Sequence, residues 1–523
     1  MCTASQSCAR PGKGLRWRPD DERSSNAPVT VGTNFRDGLV FPSLVNRQFA
    51  FLDHRAVYEH KSTEELVRSL VVLGLCSSPL LVRHSEALLD ALPWVREALY
   101  KHFSVGHAPA DVWGRMNSMR ANGVQAIMDF AEEDSGATAL SSAASLDDAA
   151  DAEEAEERYE RRVAAFLASI DTAATLQTQG FAAVKLTALA DPAMLEALAL
   201  LEAQAAQVSE AAAEAQDAGQ GQQEQEQGLE ARLAAAQQAQ LAALMGRLDR
   251  LGVKLMIDAE LSHLRPAIDR LAHQLMARHN RSSSSSSTAA GGGDGAVIFI
   301  SYQAYLRDVQ LRLQRDLERA ERQGYVLGAK LVGGVYLHLE RRRAAERGEP
   351  APVWDTAEDT YAAYDGCLDA LLCAVKAGRA ELMVGSHNQG SVQTAVTLMA
   401  RLGLDPEEAP VYFGQLLGMA DNISFTLGQH GYKTFKYCPH GEPAKLRPYL
   451  SRRVLETQYS VQGGRQDLRM VQAELWRRIS QDPAGQLAQL FGSSRSGSSN
   501  SSSTARGAQQ ADAVSKAPHA AQQ

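Results

Sequence analysis

Apolar runs of four to eight residues alternate along the chain with longer segments in which apolar residues recur every three or four positions. Short apolar runs giving way repeatedly to a helical period are the mark of parallel β/α units. The apolar runs fall at 126–130, 182–186, 253–258, 297–302, 329–336, 381–386, 411–416 and 434–437. After the fourth run, Leu306, Val309, Leu313, Leu317 and Ala320 share one helical face before Gly324; after the sixth, Val392, Val396, Met399 and Leu402 do so before Gly403. Glycine at such a place takes the left-handed conformation that ends a helix. Eight units of this kind close most simply into an α/β fold of the (β/α)8 TIM type, and a doubly wound open sheet is the other arrangement the pattern allows.

Residues 46–122 read as a helical arm ahead of the barrel, with Ser62 and Glu65 spaced as a capping box. The barrel domain is assigned to 123–480, interrupted by an Asp/Glu/Ala stretch near 134–158, a Gln/Ala/Glu run near 203–240 and a Ser/Gly run near 281–295. The chain ends in a tail, 481–523, that is rich in serine. Such compositions offer too little apolar surface to offset the entropy of ordering, so disordered insertions and a disordered tail are expected. The Gln/Ala/Glu run reads equally as a solvated helix, since these residues favour helix. The segment 1–45 is expected to be disordered; Arg10, Arg16, Arg18 and Arg23 suit a transit segment, whereas Asp20, Asp21 and Glu22 count against one.

Composition narrows the function. A net charge of −9 over 523 residues gives no basic footprint for nucleic acid, and no apolar run approaches the length that crosses a bilayer. Cys2, Cys8, Cys76, Cys367, Cys373 and Cys438 form no C-x-x-C pair or secreted framework and read as reduced thiols of a large intracellular enzyme. The absence of H-E-x-x-H, of a Cys/His cluster and of G-x-S-x-G leaves nothing for zinc or α/β-hydrolase chemistry. A redox cofactor therefore fits better than a metal, and no metal site is expected.

Barrels of this type carry their active sites at the carboxyl ends of the strands. Asp258, Gln303, Tyr336, His387, Gln415 and Tyr437 end apolar runs and are candidates by position, although each alone is more often a cap or a satisfied polar group. Lys185, inside an apolar run, reads as a snorkelling edge lysine, a carboxylate anchor or a Schiff-base amine. In the helix expected after Pro448, Arg452 and Arg453 precede Glu456 by four and three residues. Alone that spacing is a surface ion pair; set over a pocket, it clamps both charged ends of an α-amino acid. Gly333 and Gly334 allow close approach of backbone to a ligand near the fifth strand's end.

Taken together, Leu255-Met256-Ile257-Asp258-Ala259-Glu260, Tyr302-Gln303-Ala304-Tyr305, Lys330 through Tyr336, Ser386-His387-Asn388, Phe413 through Met419 and Tyr449 through Glu456 resemble the proline dehydrogenase family in order and spacing. The resemblance covers most of 50–470 outside the insertions. It implies a distorted (β/α)8 barrel that binds FAD noncovalently, oxidises L-proline to 1-pyrroline-5-carboxylate and passes electrons to a membrane quinone. In eukaryotic members this happens in mitochondria, in peripheral contact with the matrix face of the inner membrane, and the insertions here look eukaryotic.

By the same resemblance Asp258 and Lys330 are the catalytic acidic and basic groups, with Lys330 near the flavin N5 edge as well. Lys185, Arg452 and Arg453 bind the substrate carboxylate, Glu456 its amine, and Tyr437, Leu416 and Tyr336 surround its ring. Ala259, Gln303, Gly333, Gly334, Val335, Ser386 and His387 contact the flavin, and Glu133 stands where the family places a gating carboxylate. Three positions depart from the family: Gly333 replaces a usual basic residue, Val335 an alanine and Thr457 an asparagine. Proline oxidation is the leading expectation because the Tyr437 ring would crowd a substituted pyrrolidine; hydroxyproline dehydrogenation, an aldolase acting through Lys185, and a flavin-free regulatory relative are the rivals.

Overall fold

The computed structural model describes residues 49–130, 161–202, 253–280 and 295–492, apart from brief gaps within 79–90, 169–179 and 189–194 and at 460. Glu133, the whole of 1–45 with Cys2 and Cys8, all of 281–295 but its last residue, and the whole of the runs at 134–158, 203–240 and 493–523 lie outside those residues.

The arm comprises α1 (His54–Tyr58), α2 (Thr63–Cys76), α3 (Pro93–Phe103) and α4 (Pro109–Ala121). The expected capping box is present: Ser62 accepts from the Glu65 N–H while Glu65 accepts from the Ser62 N–H. Eight strands follow: β1 (Val124–Phe130), β2 (Gly180–Val184), β3 (Val253–Ile257), β4 (Ile298–Gln303), β5 (Leu327–Val332), β6 (Ala380–Gly385), β7 (Val411–Leu416) and β8 (Lys433–His440). Each pairs in parallel with its chain neighbour, and β8 pairs with β1, so the sheet closes. Helices α5 (Arg265–His279), α6 (Val309–Gln323), α7 (Leu337–Arg347), α8 (Ala357–Lys376), α9 (Gln389–Leu402) and α10 (Asp421–Gln429) occupy the connections. Gly324 and Gly403, at φ 72° and 64°, end α6 and α9 as the sequence pattern requires. Three further helices, α11 (Arg447–Tyr459), α12 (Val461–Gln481) and α13 (Pro483–Gly492), complete the described chain.

The strands alternate cleanly. Val253, Leu255, Ile257, Ile298, Ile300 and Tyr302 belong to the large core between sheet and helices. Phe181, Met256, Phe299, Met383, Tyr412 and Phe435 fill the barrel interior. There Phe181 meets Phe299, Tyr412 and Phe435 edge-on at 5.5, 5.1 and 5.0 Å, the geometry that ring quadrupoles favour. Below these rings, at the amino end, Lys254 donates to Glu381 at 2.6 Å, and Glu381 also accepts from Tyr412 OH at 3.1 Å and the Ala296 N–H at 2.8 Å. The amino end is thus plugged by a satisfied ion pair, and chemistry is left to the carboxyl end.

Three expectations are corrected. The second strand ends at Val184, so Lys185 follows it instead of lying within it, and a 3-10 turn, Leu186–Ala188, comes next. The fifth ends at Val332, not at 336: Gly334 takes φ 130°, which strand backbone cannot follow, and Tyr336 becomes the cap residue of α7. The tail begins later than 481, because Asp482 accepts from the Gly485 N–H at 2.9 Å and Pro483 opens α13, a cap and a first-turn proline that together start a helix.

The arm packs on the C-terminal helices as well as on the barrel. Val57, Tyr58, Leu66 and Leu73 join Met470, Val471 and Leu475 of α12. Val72, Leu99 and Phe103 join Tyr449, Leu450 and Val454 of α11. Removing one member of the amino-end ion pair tests how that plug is held. Lys254→Met should lower unfolding stability by about 3 kcal/mol, and Lys254→Met with Glu381→Leu should recover most of it, since a lone buried charge costs far more than an apolar replacement of both. Urea denaturation followed by circular dichroism measures this, and equal destabilisation in both variants would contradict it.

Candidate active site at the barrel mouth

Continuing the interior alternation by one step past the aromatic layer predicts which side chains line the mouth. On β1 the step from Ile127 gives Asp129, after β2 the step from Ala183 gives Lys185, and after β3 the step from Met256 gives Asp258. On β8 it leads from Phe435 to Tyr437, while Lys330 on β5 stands opposite the interior residue Met383. Lys330 Nζ donates to Asp258 Oδ1 at 2.6 Å, and Tyr437 OH donates to Asp258 Oδ2 at 2.6 Å. The lysine also lies 5.2 Å from the centre of the Tyr437 ring. Burial first, and then Asp129 and Asp258, hold the Tyr437 phenol well above its ordinary range, so it stays a donor.

Over this cluster α11 brings a second charged group. Arg453 donates to Glu456 Oε1 at 2.6 Å, and the guanidinium stacks 4.7 Å from the centre of the Tyr449 ring. Arg453 and Glu456 are therefore paired with one another and do not stand at opposite poles, because a carboxylate this enclosed requires a counter-charge and the arginine one turn earlier supplies it. Burial raises the Glu456 carboxyl above its usual value, against Arg453 and Arg452, which lower it. Electrostatic contact joins the two groups: Tyr449 is acted on by Arg453, Asp129, Glu456 and Arg452, and Tyr437 by Asp129, Asp258 and Tyr449. Lys185 is half-buried and acts on Glu260, whose carboxylate accepts from both the N–H and the hydroxyl of Thr187.

The remaining candidates divide. Gln303 Nε2 donates to the Glu260 carbonyl at 2.8 Å, which leaves its Oε1 a buried acceptor with no partner among the described residues. His387 Nε2 accepts from the Leu416 N–H at 2.9 Å, so the neutral ring carries its proton on Nδ1. Burial, then Lys436 and Arg453, push the His387 imidazole down to about 3. Ser386 accepts from the Asn388 N–H at 3.0 Å, and Asn388 caps α9. Ala259 is half-buried beside Asp258. Gly333 is exposed, with nothing within 4 Å of a built Cβ, and Val335 is 47% exposed.

Two readings change. A Cβ on Gly334 would lie 1.9 Å from the Tyr305 ring, so glycine at this position makes room for Tyr305. Gln415 faces away from the mouth, bonded to Ser424 of α10 at 2.8 Å. Tyr336, at the start of α7, is half-buried and acts on Tyr305. Residues not singled out from sequence are Asp129, which the period-two rule would have found, and Tyr449, whose hydroxyl is buried without a partner among the described residues.

A family profile described as proline dehydrogenase matches residues 115–463. Human proline dehydrogenase 1, mitochondrial, is 30% identical, with 82% of this chain and 89% of that protein covered. Rat hydroxyproline dehydrogenase is 32% identical, with 80% and 92% covered. Proline utilization A from Bdellovibrio bacteriovorus, solved after inactivation by N-propargylglycine, is similar in fold, with a TM-score of 0.53 at 20% identity over 78% of this chain. The chain spans 38% of the length of that protein.

The His387 tautomer is directly observable. Nitrogen-15 NMR of histidine-labelled protein should show His387 protonated on Nδ1 and not titrating between about pH 5 and 9. An imidazolium signature for that residue at pH 6 would contradict the assignment.

Proposed function

Because the chain belongs to the proline dehydrogenase family, we propose that it oxidises L-proline to 1-pyrroline-5-carboxylate at the barrel mouth, with FAD bound and a quinone as electron acceptor. The observation that carries this reading is a set of two charge pairs, Lys330 of β5 with Asp258 just after β3 and Arg453 with Glu456 on α11, joined electrostatically through Asp129, Tyr437 and Tyr449. Such a site matches a small zwitterion held flat against a ring.

The residues present fit a flavin. The open Gln303 Oε1 would accept from a flavin N–H, the His387 Nδ1–H would donate, and Lys330 would supply positive charge to the ring. Gly333 and Val335, exposed at the end of β5, border the same mouth, though without the usual cation at 333. When bound, the flavin supplies a two-electron acceptor for the hydride leaving the carbon next to the substrate nitrogen.

Arg452 and Arg453 grip the carboxylate with planar forks, Lys185 adds a further cation, and Glu456 receives the amine. Gripping both ends fixes the ring carbon in place, which is where most of the rate gain from orientation arises. The proton released from the substrate nitrogen is assigned to the Lys330–Asp258 pair, whose geometry Tyr437 fixes. Leu416 and Tyr437 wall the substrate ring, with Tyr336 near them.

Relatives named hydroxyproline dehydrogenase at 32% identity keep that substrate as the second reading. Tyr437, fixed to Asp258, favours the unsubstituted ring. A place in mitochondria is supported by the names of relatives, and the matrix face of the inner membrane is the position we propose there. Among the described residues no helix is long and apolar enough to cross a membrane, and a peripheral contact is the form we propose.

Protein reconstituted with FAD should show flavin absorbance that bleaches on anaerobic addition of proline, with kcat/KM higher for proline than for hydroxyproline. Arg453→Met should lower kcat/KM for proline about a hundredfold, equivalent to about 2.7 kcal/mol, the scale of a lost charged contact. A colourless, unreactive protein would sink the proposal; better use of hydroxyproline would move it to the second reading.

A further inference from the structure

The end of β7 at Leu416 and the loop that follows it, residues 417–420, are tied down from three sides. His387 Nε2 accepts from the Leu416 N–H, and the Tyr437 carbonyl accepts from the Leu417 N–H at 3.1 Å. Lys436, fully buried on the outer face of β8, donates to the Leu416 and Met419 carbonyls and pairs with Asp421 at 2.9 Å. From the arm, His102 Nε2 donates to the Gly418 carbonyl at 2.9 Å. A Cβ on Gly418 would meet His102 and Phe103 at 2.8 and 2.9 Å, so the arm reaches the loop only because residue 418 is glycine. From α12, Asp467 Oδ2 accepts from the Ala420 N–H at 3.0 Å. Ala420 sits at φ 50°, the one positive value among the described residues other than glycine. A residue with a Cβ keeps that conformation where its surroundings impose it.

We propose that His102 and Asp467 are positioning residues for the substrate site: the arm and α12 both clamp the 417–420 loop and so hold Leu416 against the substrate ring. This rests on the proposed function, which places Leu416 in the pocket. Neither residue touches substrate in this scheme; both act through the backbone of the loop. The arm and α12, which contribute no group to the barrel mouth, thereby become part of the machinery that shapes it.

The charges around Asp467 give the clamp a pH signature. Facing it are Asp421 of α10, Lys436 of β8, Lys61 ahead of α2 and Tyr58 of α1. Burial and then Asp421 push the Asp467 carboxyl up to about 7, against the Ala420 N–H, Lys436 and Lys61, which lower it. The anion, the stronger acceptor for Ala420, thus forms as pH rises through neutrality. With a raised folded value, the contribution of this group to stability is full below the ordinary carboxylate range and is lost as pH rises through 7. The clamp therefore tightens under the conditions in which it destabilises the fold.

The test is Asp467→Asn in the FAD-loaded full chain, assayed with proline and a soluble dye acceptor. At pH 8 the variant should raise KM about fivefold with kcat changed less than about twofold, and should melt no lower than the wild type. Wild-type KM should rise toward the variant's value as pH falls to about 6, and in a Leu416→Ala background Asp467→Asn should add less than about twofold. Parallel pH profiles, or full additivity with Leu416→Ala, would overturn the proposal. Should Asp467→Asn not load flavin, His102→Gln enters the cycle with Leu416→Ala, where full additivity would overturn the proposal. A wild type that does not turn over proline removes the proposed function instead. The clamp is then judged by amide exchange at 417–420, which Asp467→Asn should speed about tenfold and which unchanged exchange would refute.

Discussion

A carboxylate or an ammonium taken out of water must meet a counter-charge or give up its own. Much of this molecule is arranged to satisfy that requirement. At the amino end of the barrel Lys254 and Glu381 close the interior; at the carboxyl end Lys330 meets Asp258; above it Arg453 meets Glu456. None of these pairs is a strong source of stability in itself. Their enclosure is sustained by apolar packing, the aromatic layer inside the sheet and the cluster in which Leu99 and Phe103 of the arm meet Tyr449 and Leu450 of α11. The arm thus holds the helix that carries the upper charges over the strands that carry the lower ones.

What could be read from the sequence follows the range of the interactions involved. Strand periodicity and the glycines at 324 and 403 depend on neighbours a few residues away, and the eight strands stand where that periodicity put them, within a few residues at their ends. Strand ends were less legible, because they depend on partners. Tyr336 sits at the end of an apolar run, yet Gly334 turns the chain away to make room for Tyr305, some thirty residues earlier. Gln415 ends an apolar run too, but alternation sends it outward to Ser424. Asp129 was legible in principle: two positions past an interior isoleucine on a strand, it had to face the mouth. On α11 the spacing allowed an Arg–Glu ion pair, read alone as a surface one; that the pair lies largely enclosed depends on how the helix packs.

Least legible were the contacts that join distant parts of the chain. Lys436 was not singled out from sequence, yet on the outer face of β8 its amine ends buried beside Asp421. Asp421 in turn meets Lys61, some 360 residues earlier. No local pattern announces that the arm, the β7 loop and α12 will share one buried set of charges. Closure of the sheet forces it, because once the strands form a ring every outward polar residue must find a partner in the layer of helices around it.

Pairing at the mouth also bears on what can enter it. A ligand with a single charge would separate Arg453 from Glu456 and leave one of them enclosed and uncompensated, at a cost of several kcal/mol. A zwitterion presents an anion and a cation a short distance apart, so it can take both members of the pair and leave the net charge of the site unchanged. The same holds below, where Asp258 already has a donor on each oxygen and Lys330 is neutralised. Selection for a small α-amino acid therefore follows from conservation of charge within an enclosed space, before shape is considered. In the proposed site shape then acts through Leu416 and Tyr437, and because the hydroxyl of Tyr437 is committed to Asp258, its ring would not swing aside for a bulkier substrate without loosening the charge pair beneath it.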